Sequence, residues 1–369
     1  MSKFHTAEFV FPGHPDKLCD AIADALVAEA RRRERRALAG VEVAVHRSRV
    51  FVTGRIACKG AEEIDVAAIA REAFRSAGYD RDWQPAPETL RIETDLCLGP
   101  LEEGEAEFRE LADDQAICIG YANHLPQTGH LPVEHWLAGR LARRLHALRR
   151  EAPALALGPD GKVLVSVAED EGAWSLAAFS CSLQQRAEAD EVALHRALRQ
   201  ALAQEMAQLA RELHGLSAQL PDQIAVNGAG AFEVGGTEGD NGLSGKKLVM
   251  DAYGPRVPIG GGAWSGKDFF KADRAGGLHA RRLAKLAVRL GLAREAKATL
   301  QWMPGDREAR LVGIDTPAGP LAAAAELAGC VDLSLAHSGE RFAPGDLVEL
   351  ARWGHFSRAD LPWERQGRL

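Results

Sequence analysis

The chain has 369 residues with 46% hydrophobic side chains, enough for two or three globular domains rather than one core. Its formal net charge of −7 argues against a general nucleic-acid binder, which is usually basic. No apolar run is long enough to span a membrane, and the N-terminal residues lack the continuous apolar stretch of a secretory signal. We therefore expect a cytoplasmic protein that binds neither nucleic acid nor membrane.

Six cysteines are scattered along the chain, at positions 19, 58, 97, 118, 181 and 330, and none forms a CxxC pair. This spacing gives little support to a zinc site or to a disulfide framework. Reduced and mostly structural thiols are the expected state of these residues.

The first predicted helix begins at Pro15, a favoured first helical position, and runs to about Arg36. Leu18, Ile22 and Leu26 repeat at helical spacing and are expected to face a core. The basic end of this helix suits the negative pole of the helix dipole. We therefore interpret it as a solvated helix end rather than as a nucleic-acid patch.

Strands and helices then alternate in three rough rounds. Strands are predicted at 41–45, 50–56, 162–168, 174–182, 223–226, 248–253, 298–302 and 309–315. Helices are predicted at 65–77, 133–150, 189–213 and 272–290. The repeat is one of element order, without a clear repeat of sequence. An α+β fold of three pseudo-repeated domains, each a mixed β-sheet with helices covering its faces, fits this order best.

The expected domain boundaries are soft, because no Pro- or Ser-rich linker marks them. We expect an N-terminal α/β domain at 1–115, discontinuous with C-terminal parts of the chain. A central domain is expected at 116–225, and a glycine-rich C-terminal domain at 226–369.

Glycine is concentrated between residues 228 and 266, which hold 12 of the 37 glycines of the chain. Backbone N–H groups of glycine loops, together with ammonium groups, suit a polyphosphate. The spacing at 242–247 differs from GxxxxGK[ST], which excludes an ordinary P-loop. Each glycine cluster alone is equally well explained as a tight turn. The basic residues that accompany these clusters favour the polyphosphate site; they are Lys246, Lys247, Lys267, Lys271 and Arg274.

The segment Gly-His-Pro-Asp-Lys at 13–17 lies at the predicted start of the first helix. A helix N-terminus attracts anions, and an acid, an imidazole and an ammonium within four residues can hold a metal and a phosphate together. An Asp in a first helical turn beside a space-filling His is the plainer interpretation. Four residues alone do not decide between the two.

Together these segments resemble the methionine adenosyltransferases, also called S-adenosylmethionine synthetases, in the same order over about residues 8–364. The matching segments are GHPDK at 13–17, Asp114-Gln115 before Gly120-Tyr121-Ala122, GDNGLSGKKLVMDAYG at 239–254, GGGAWSGKDFFKADR at 260–274, Trp353–Phe356 and Pro362–Glu364. The resemblance implies an S-adenosylmethionine synthetase-like fold. It also implies that ATP, L-methionine and water yield S-adenosylmethionine, phosphate and diphosphate, by sulfur attack on C5′ of the nucleotide.

The resemblance further implies roles for single residues. Two lie beside the breaking C5′–O bond, His14 and Lys162. Three lysines resemble those on the triphosphate, Lys247, Lys267 and Lys271, and Lys246 stands in place of the arginine of a family Arg-Lys pair. The nucleotide and substrate are contacted by Lys17, Arg55, Asp114, Phe232 and Asp240, with Phe232 stacking on the base. Asp16 and Asp273 resemble ligands of two Mg²⁺ ions, whose preference is for carboxylate oxygens. Glu42 resembles a family ligand of K⁺, and an ordinary polar strand residue explains it equally well.

Several positions depart from the family pattern, mostly at the methionine end. Arg55 stands where the family has a glutamate that faces the methionine ammonium, and an acid-rich stretch at 98–111 replaces a mobile loop. Three functions therefore stay open: the methionine adenosyltransferase reaction, the same reaction with another NTP or another thioether, and an inactive regulatory subunit. The resemblance implies a homodimer or a dimer of dimers. In each active site, the GHPDK segment of one subunit would meet the glycine-rich loops of the other.

Overall fold

The structure, a computed structural model, describes residues 2–365 and contains three four-stranded sheets within that range. The strands are β1 (Lys3–Val10), β2 (Leu38–His46), β3 (Arg49–Ala57), β4 (Arg91–Gly99), β5 (Ala116–Asn123), β6 (Leu157–Asp170), β7 (Ala173–Gln185), β8 (Gln223–Val226), β9 (Gly242–Leu243), β10 (Glu295–Trp302), β11 (Arg310–Thr316) and β12 (Gly319–Pro320). The helices are α1 (Pro15–Arg33), α2 (Val66–Ala77), α3 (Glu105–Phe108), α4 (Val133–Glu151), α5 (Glu191–Glu212), α6 (Gly236–Gly239), α7 (Leu248–Asp251), α8 (Ala272–Arg289), α9 (Ala324–Gly329), α10 (Leu335–Arg341) and α11 (Leu347–Trp353).

Each sheet combines strands from distant parts of the chain. The N-terminal sheet has the order β4-β3-β2-β9, the central sheet β1-β6-β7-β8 and the C-terminal sheet β12-β11-β10-β5. The N-terminal and central sheets each contain one parallel pair, whereas the C-terminal sheet is antiparallel. The predicted α+β class with three domains is confirmed. The boundaries at 115 and 225 stay a prediction, and β1, β5 and β9 pair across them.

One long helix packs on each sheet. Helix α1 lies on β2 of the N-terminal sheet, α4 lies on β1 and β6, and α8 lies on β5 and β10. The apolar face of α1 is buried as its spacing predicts, with Leu18, Ile22 and Leu26 fully enclosed. Burial of these faces against the sheets forms two hydrophobic clusters among the residues that the structure describes.

Most predicted elements are confirmed, since the five predicted helices correspond to α1, α2, α4, α5 and α8. The strand predicted at 248–253 is wrong, because residues 248–251 form the helical turn α7. The N–H groups of Met250 and Asp251 both bond to the carbonyl of Lys247, and both side chains point inward. Strands β1, β4, β5, β9 and β12 have no counterpart in the prediction.

None of the helices found within residues 2–365 is long and apolar enough to cross a membrane. All six cysteines are unpaired thiols in the structure, and four of them are buried.

Candidate active site

Helix α1 begins at a histidine cap that also faces a cleft. The ring Nδ1 of His14 accepts the N–H of Asp16 at 3.2 Å, and Pro15 occupies the first helical position. Burial, helped by the nearby charge of Lys247, lowers the pKa of His14 to about 4. The imidazole is therefore neutral near pH 7. Because Nδ1 accepts a hydrogen bond, Nε2 is assigned the proton and is free to donate it.

A cleft of about 400 Å³ opens in front of His14, and four predicted site residues line it: His14, Lys162, Phe232 and Asp240. Asp160 also lines it and was not predicted, although it directly precedes the Gly-Lys pair at 161–162. Its Oδ2 accepts the N–H of Gly236 at 2.7 Å, and burial raises its pKa to about 6. The cleft thus combines an aromatic ring, a neutral imidazole and an ammonium.

The first glycine-rich loop, residues 235–247, lies against the start of α1 in the same chain. Asp16 accepts the N–H of Leu243 at 3.0 Å and the ammonium of Lys247 at 2.5 Å. Burial acts to raise the pKa of Asp16, but these two hydrogen bonds outweigh it and the pKa is lowered. Lys246 is more distant, with Nζ 3.9 Å from Asp16 Oδ1.

This packing corrects one expectation about subunits. A Cβ atom at Gly242 would lie 2.4 Å from the carbonyl of Pro15, so the loop reaches α1 only because glycine stands there. The GHPDK segment and the first glycine-rich loop therefore pack against each other within one chain. The expectation that they come from different subunits is wrong for this loop.

Lys17 is enclosed inside the protein rather than directed at the cleft. Its ammonium donates to Asp20 at 2.9 Å and to Asp251 at 2.5 Å, and all three side chains are fully buried. Burial acts to lower the pKa of Lys17, but the two carboxylates raise it above its usual range. The predicted contact of Lys17 with substrate is therefore wrong, because the ammonium has no open side.

The second glycine-rich loop, residues 260–271, carries a second cluster beside β2. Lys267 pairs with Asp273, and Lys271 pairs with Asp113. A Cβ atom at Gly262 would lie within about 2.0 Å of the Asp273 carboxylate, so this loop also approaches its neighbour closely. The predicted site residues thus form two clusters in one chain, one around His14 and Lys247 and the other around Lys267 and Lys271.

Comparison with known proteins decides the family. A model of the S-adenosylmethionine synthetase N-terminal domain matches residues 2–96, one of the central domain matches 109–232 and one of the C-terminal domain matches 234–365. The chain belongs to the S-adenosylmethionine synthetase family. The expected class, a methionine adenosyltransferase-like transferase, is thereby confirmed.

Bacterial members of the family resemble the chain over its whole length. The S-adenosylmethionine synthase of Deinococcus deserti is 30% identical over 100% of this chain and 98% of its own length. That of Deinococcus radiodurans is 30% identical over 100% of this chain and 96% of its own length. The Prochlorococcus marinus protein is 31% identical over 99% of this chain and 97% of its own length.

Arg55, the main departure from the family pattern, lies beside the second cluster. It stands opposite Gly40 in the β2–β3 pair, and the backbone of Gly40 bridges to Lys267. Its guanidinium binds both carboxylate oxygens of Glu105 in α3, each at 2.8 Å. The acid-rich stretch therefore supplies a carboxylate that neutralises Arg55.

The rest of this stretch is anchored by further ion pairs. Arg109 is buried, pairs with Asp268 and donates to the carbonyl of Ala37 at 3.2 Å. Glu110 accepts from Arg36 at 2.9 Å and from Arg307 at 3.1 Å. We call residues 104–113 the pinned segment.

Two remaining predicted residues have simpler surroundings. Asp114 is exposed and accepts the N–H of Gln115 at 2.7 Å, while its neighbour Asp113 contacts Lys271. Glu42 is exposed on β2 opposite Thr53, and it has no ion-pair partner within residues 2–365. Within the same residues, no three His, Cys, Asp or Glu side chains are grouped to hold a metal.

Proposed function

We propose that the protein makes S-adenosylmethionine, phosphate and diphosphate from ATP, L-methionine and water. The observation that carries this proposal is the cleft at the start of α1, which is lined by the neutral imidazole of His14, the ammonium of Lys162 and the ring of Phe232. The pair of Lys247 and Asp16 borders the same helix start. Membership of the S-adenosylmethionine synthetase family supports the reaction.

In the proposed step, a sulfur lone pair of methionine forms the S–C5′ bond while the C5′–O bond breaks. The bonding electrons leave with the triphosphate oxygen, and the nucleoside becomes part of a sulfonium. Nε2 of His14 donates a hydrogen bond to that oxygen as its charge grows, and Lys162 and Lys247 are fixed cations on the same side. Water then cleaves one P–O bond of the triphosphate to give phosphate and diphosphate.

The residues present fit Mg²⁺ that arrives with a polyphosphate. Asp16 and Asp273 offer one carboxylate in each cluster, and Mg²⁺ is usually held by one or two carboxylates plus phosphate oxygens and water. When bound, Mg²⁺ neutralises charge on the departing phosphates. Each carboxylate is paired with a lysine here, so a polyphosphate can replace the carboxylate as the partner of Lys247 or Lys267. A role for Glu42 in K⁺ binding rests on the family resemblance alone.

We also propose that a homodimer, alone or in a dimer of dimers, completes the site. The first cluster holds the groups around C5′, whereas Lys267 and Lys271 lie apart from it beside β2. Phe51 and Leu243 flank Ala44 on the exposed face of the N-terminal sheet. A second copy packed there would cover these apolar side chains and bring its own second cluster toward the first cleft.

The reaction is tested by incubating the purified protein with Mg²⁺, methionine and each NTP in turn, followed by mass analysis. The expected result is the sulfonium of adenosine and methionine, with phosphate and diphosphate. Chelation of Mg²⁺ should abolish it. Absence of this product with every NTP would overturn the proposal.

A second candidate is the same reaction with another NTP or another thioether. The bidentate pair of Arg55 and Glu105 favours it, because a methionine ammonium would have to compete with a guanidinium for the Glu105 carboxylate. The product analysis distinguishes the two candidates. An inactive regulatory subunit is the least economical account, since His14, Lys162 and the lysines of both clusters are retained.

A further inference from the structure

One face of α1 carries three aspartates at successive helical turns. Asp16, Asp20 and Asp24 are spaced by four residues, so they stand above one another about 6 Å apart along the axis. All three are at most 1% exposed. Buried carboxylates are rare unless their oxygens accept hydrogen bonds or ion pairs. The partners of Asp16, Asp20 and Asp24, which we call the stripe, therefore indicate its role.

Each aspartate accepts a backbone N–H from a glycine-rich loop. Asp16 accepts from Leu243 at 3.0 Å and Asp20 from Gly245 at 2.7 Å, both in the first loop. Asp24 accepts from Gly266 of the second loop at 2.9 Å. One helix face therefore holds both loops.

The glycines involved directly precede lysines of the two clusters. Gly245 precedes Lys246, and Gly266 precedes Lys267. Both glycines have positive φ, +75° and +87°, and a Cβ atom at Gly266 would lie 2.2 Å from the carbonyl oxygen of Val41. The backbone at these points is thus held in a conformation that glycine adopts readily, with the N–H directed at α1.

The carboxylates are themselves fixed by buried cations. Asp20 uses its second oxygen for Lys17, and Asp24 binds Arg274 through both oxygens at 2.8 and 2.9 Å. Neither carboxylate can rotate without breaking an ion pair away from water. The stripe is therefore a rigid acceptor for the two loops.

We propose that Asp20 and Asp24 are positioning residues for polyphosphate binding, which act by fixing the two loops on α1. Asp20 and Asp24 lie one helical turn apart on α1. This turn therefore sets the distance between the lysines of the first loop and those of the second loop in one chain. The inference rests on the proposed function, in which the polyphosphate is the triphosphate of a nucleotide. Neither carboxylate touches the substrate.

The test is calorimetric binding of inorganic tripolyphosphate with Mg²⁺ to the full-length protein. Asp20→Asn leaves one acceptor oxygen for two donors, the Lys17 ammonium and the Gly245 N–H, so the loop contact is lost. The loss of one charge-assisted hydrogen bond is expected to raise the Kd about 10-fold or more. Asp24→Asn should act likewise on the second loop.

Asp251→Asn is the matched control, because Asp251 also binds Lys17 but accepts no N–H from a glycine of either loop. It should lower the Tm as Asp20→Asn does and keep the wild-type Kd. Asp20→Glu and Asp24→Glu retain the charge and serve where an amide variant fails to fold. They are expected to raise the Kd with a smaller loss of Tm.

A triple variant separates positioning from general destabilisation. In a protein with Lys246→Ala and Lys247→Ala, adding Asp20→Asn should cause no further loss of tripolyphosphate affinity, because the two changes act on one loop. An equal further loss would overturn the inference, as would wild-type affinity in the folded single variants. If the wild-type protein itself fails to bind tripolyphosphate, the proposed function fails instead.

Discussion

Arg55 stands on β3 where the family resemblance predicts a glutamate, so the charge at this point of the N-terminal sheet is reversed. The carboxylate comes from α3 rather than from the strand, and it is already bound by two hydrogen bonds of 2.8 Å. A substrate ammonium gains little from a carboxylate whose oxygens are already paired with a guanidinium. If Arg55 faces the acceptor, as the family resemblance implies, acceptor preference depends on whether this pair opens.

Arg55→Glu is expected to improve the use of methionine, because it supplies an acid and frees Glu105. We expect kcat/KM for methionine to rise about 10-fold and that for 3-(methylthio)propionate, which lacks the ammonium, to fall. Steady-state kinetics with both acceptors on the same variant measure this difference. Arg49→Glu, on the same strand and paired with Glu93 at 3.1 Å, is the control. Equal changes for both acceptors would show that Arg55 does not read the ammonium.

His135 is a second residue with a measurable consequence. It is buried and packs against Phe9 with ring centroids 5.7 Å apart and the ring planes tilted by 41°. Burial lowers its pKa to about 4. The unfolded chain binds a proton at this ring below about pH 6.5, whereas the folded chain does so only near pH 4. Its contribution to stability is therefore present above pH 6.5 and is lost as the pH falls toward 4.

His135→Phe should flatten the acid decline in stability. The slope of Tm against pH between 6.5 and 4.5 is expected to be smaller than in the wild-type protein, as measured by thermal unfolding. His214→Phe, at an exposed position, is expected to keep the wild-type slope. A variant slope at position 135 equal to that of the wild-type protein would contradict the assignment.

Among the elements, the pinned segment stands where the family resemblance places a mobile loop, and ion pairs hold it along its length. One end is held to the N-terminal sheet through Arg55, and the other to the connection between β10 and β11 through Arg307. Its centre is held by the buried pair of Arg109 and Asp268, and Asp268 also accepts the N–H of Ala39 at 2.8 Å. An ordered segment next to Lys271 leaves less of the site to be assembled on substrate binding.

Arg109→Met should release this segment. Removing one member of a buried pair leaves Asp268 uncompensated, and we expect a loss of about 3–5 kcal/mol in the free energy of unfolding. Amide exchange within residues 104–113 should accelerate as well. Arg307→Met removes an exposed pair with the same segment and should cost under about 1 kcal/mol. Unchanged exchange in Arg109→Met would mean that the other ion pairs hold the segment.

The sequence predicts the long helices well because their apolar periodicity is local. It predicts β1 and β5 poorly, because these strands are defined by partners far along the chain, β6 and β10. In the site, Lys17 could not be told from the other lysines, since its burial depends on Asp251. Asp113 was missed for the same reason, because only the fold brings it rather than Asp114 to Lys271.

At the scale of the whole molecule, the two clusters of one chain give a test for shared sites. If each active site combines the first cluster of one subunit with the second cluster of the other, inactive His14→Ala and Lys267→Ala proteins should complement each other. Half of randomly mixed dimers are hybrids, and each hybrid has one intact site, so about a quarter of wild-type activity is expected.

The pair His14→Ala and Lys247→Ala provides the control for complementation. Both residues lie in the first cluster, so each site of the hybrid keeps one defect and activity should stay absent. Subunit exchange is verified by mass spectrometry with one labelled partner. Recovery in neither mixture, despite proven exchange, would place each site within one chain.

Because each sheet combines strands from distant parts of the chain, the order of synthesis determines when a sheet can be completed. Strand β5 ends at Asn123, but its partner β10 begins only at Glu295. At about 5–20 residues per second, the ribosome needs roughly 9–34 s to add the intervening residues. Throughout that interval, the emerging chain carries an edge strand without its partner, open to wrong pairing with another chain. Chaperone dependence of the nascent protein should therefore end only when the C-terminal third of the chain has left the ribosome.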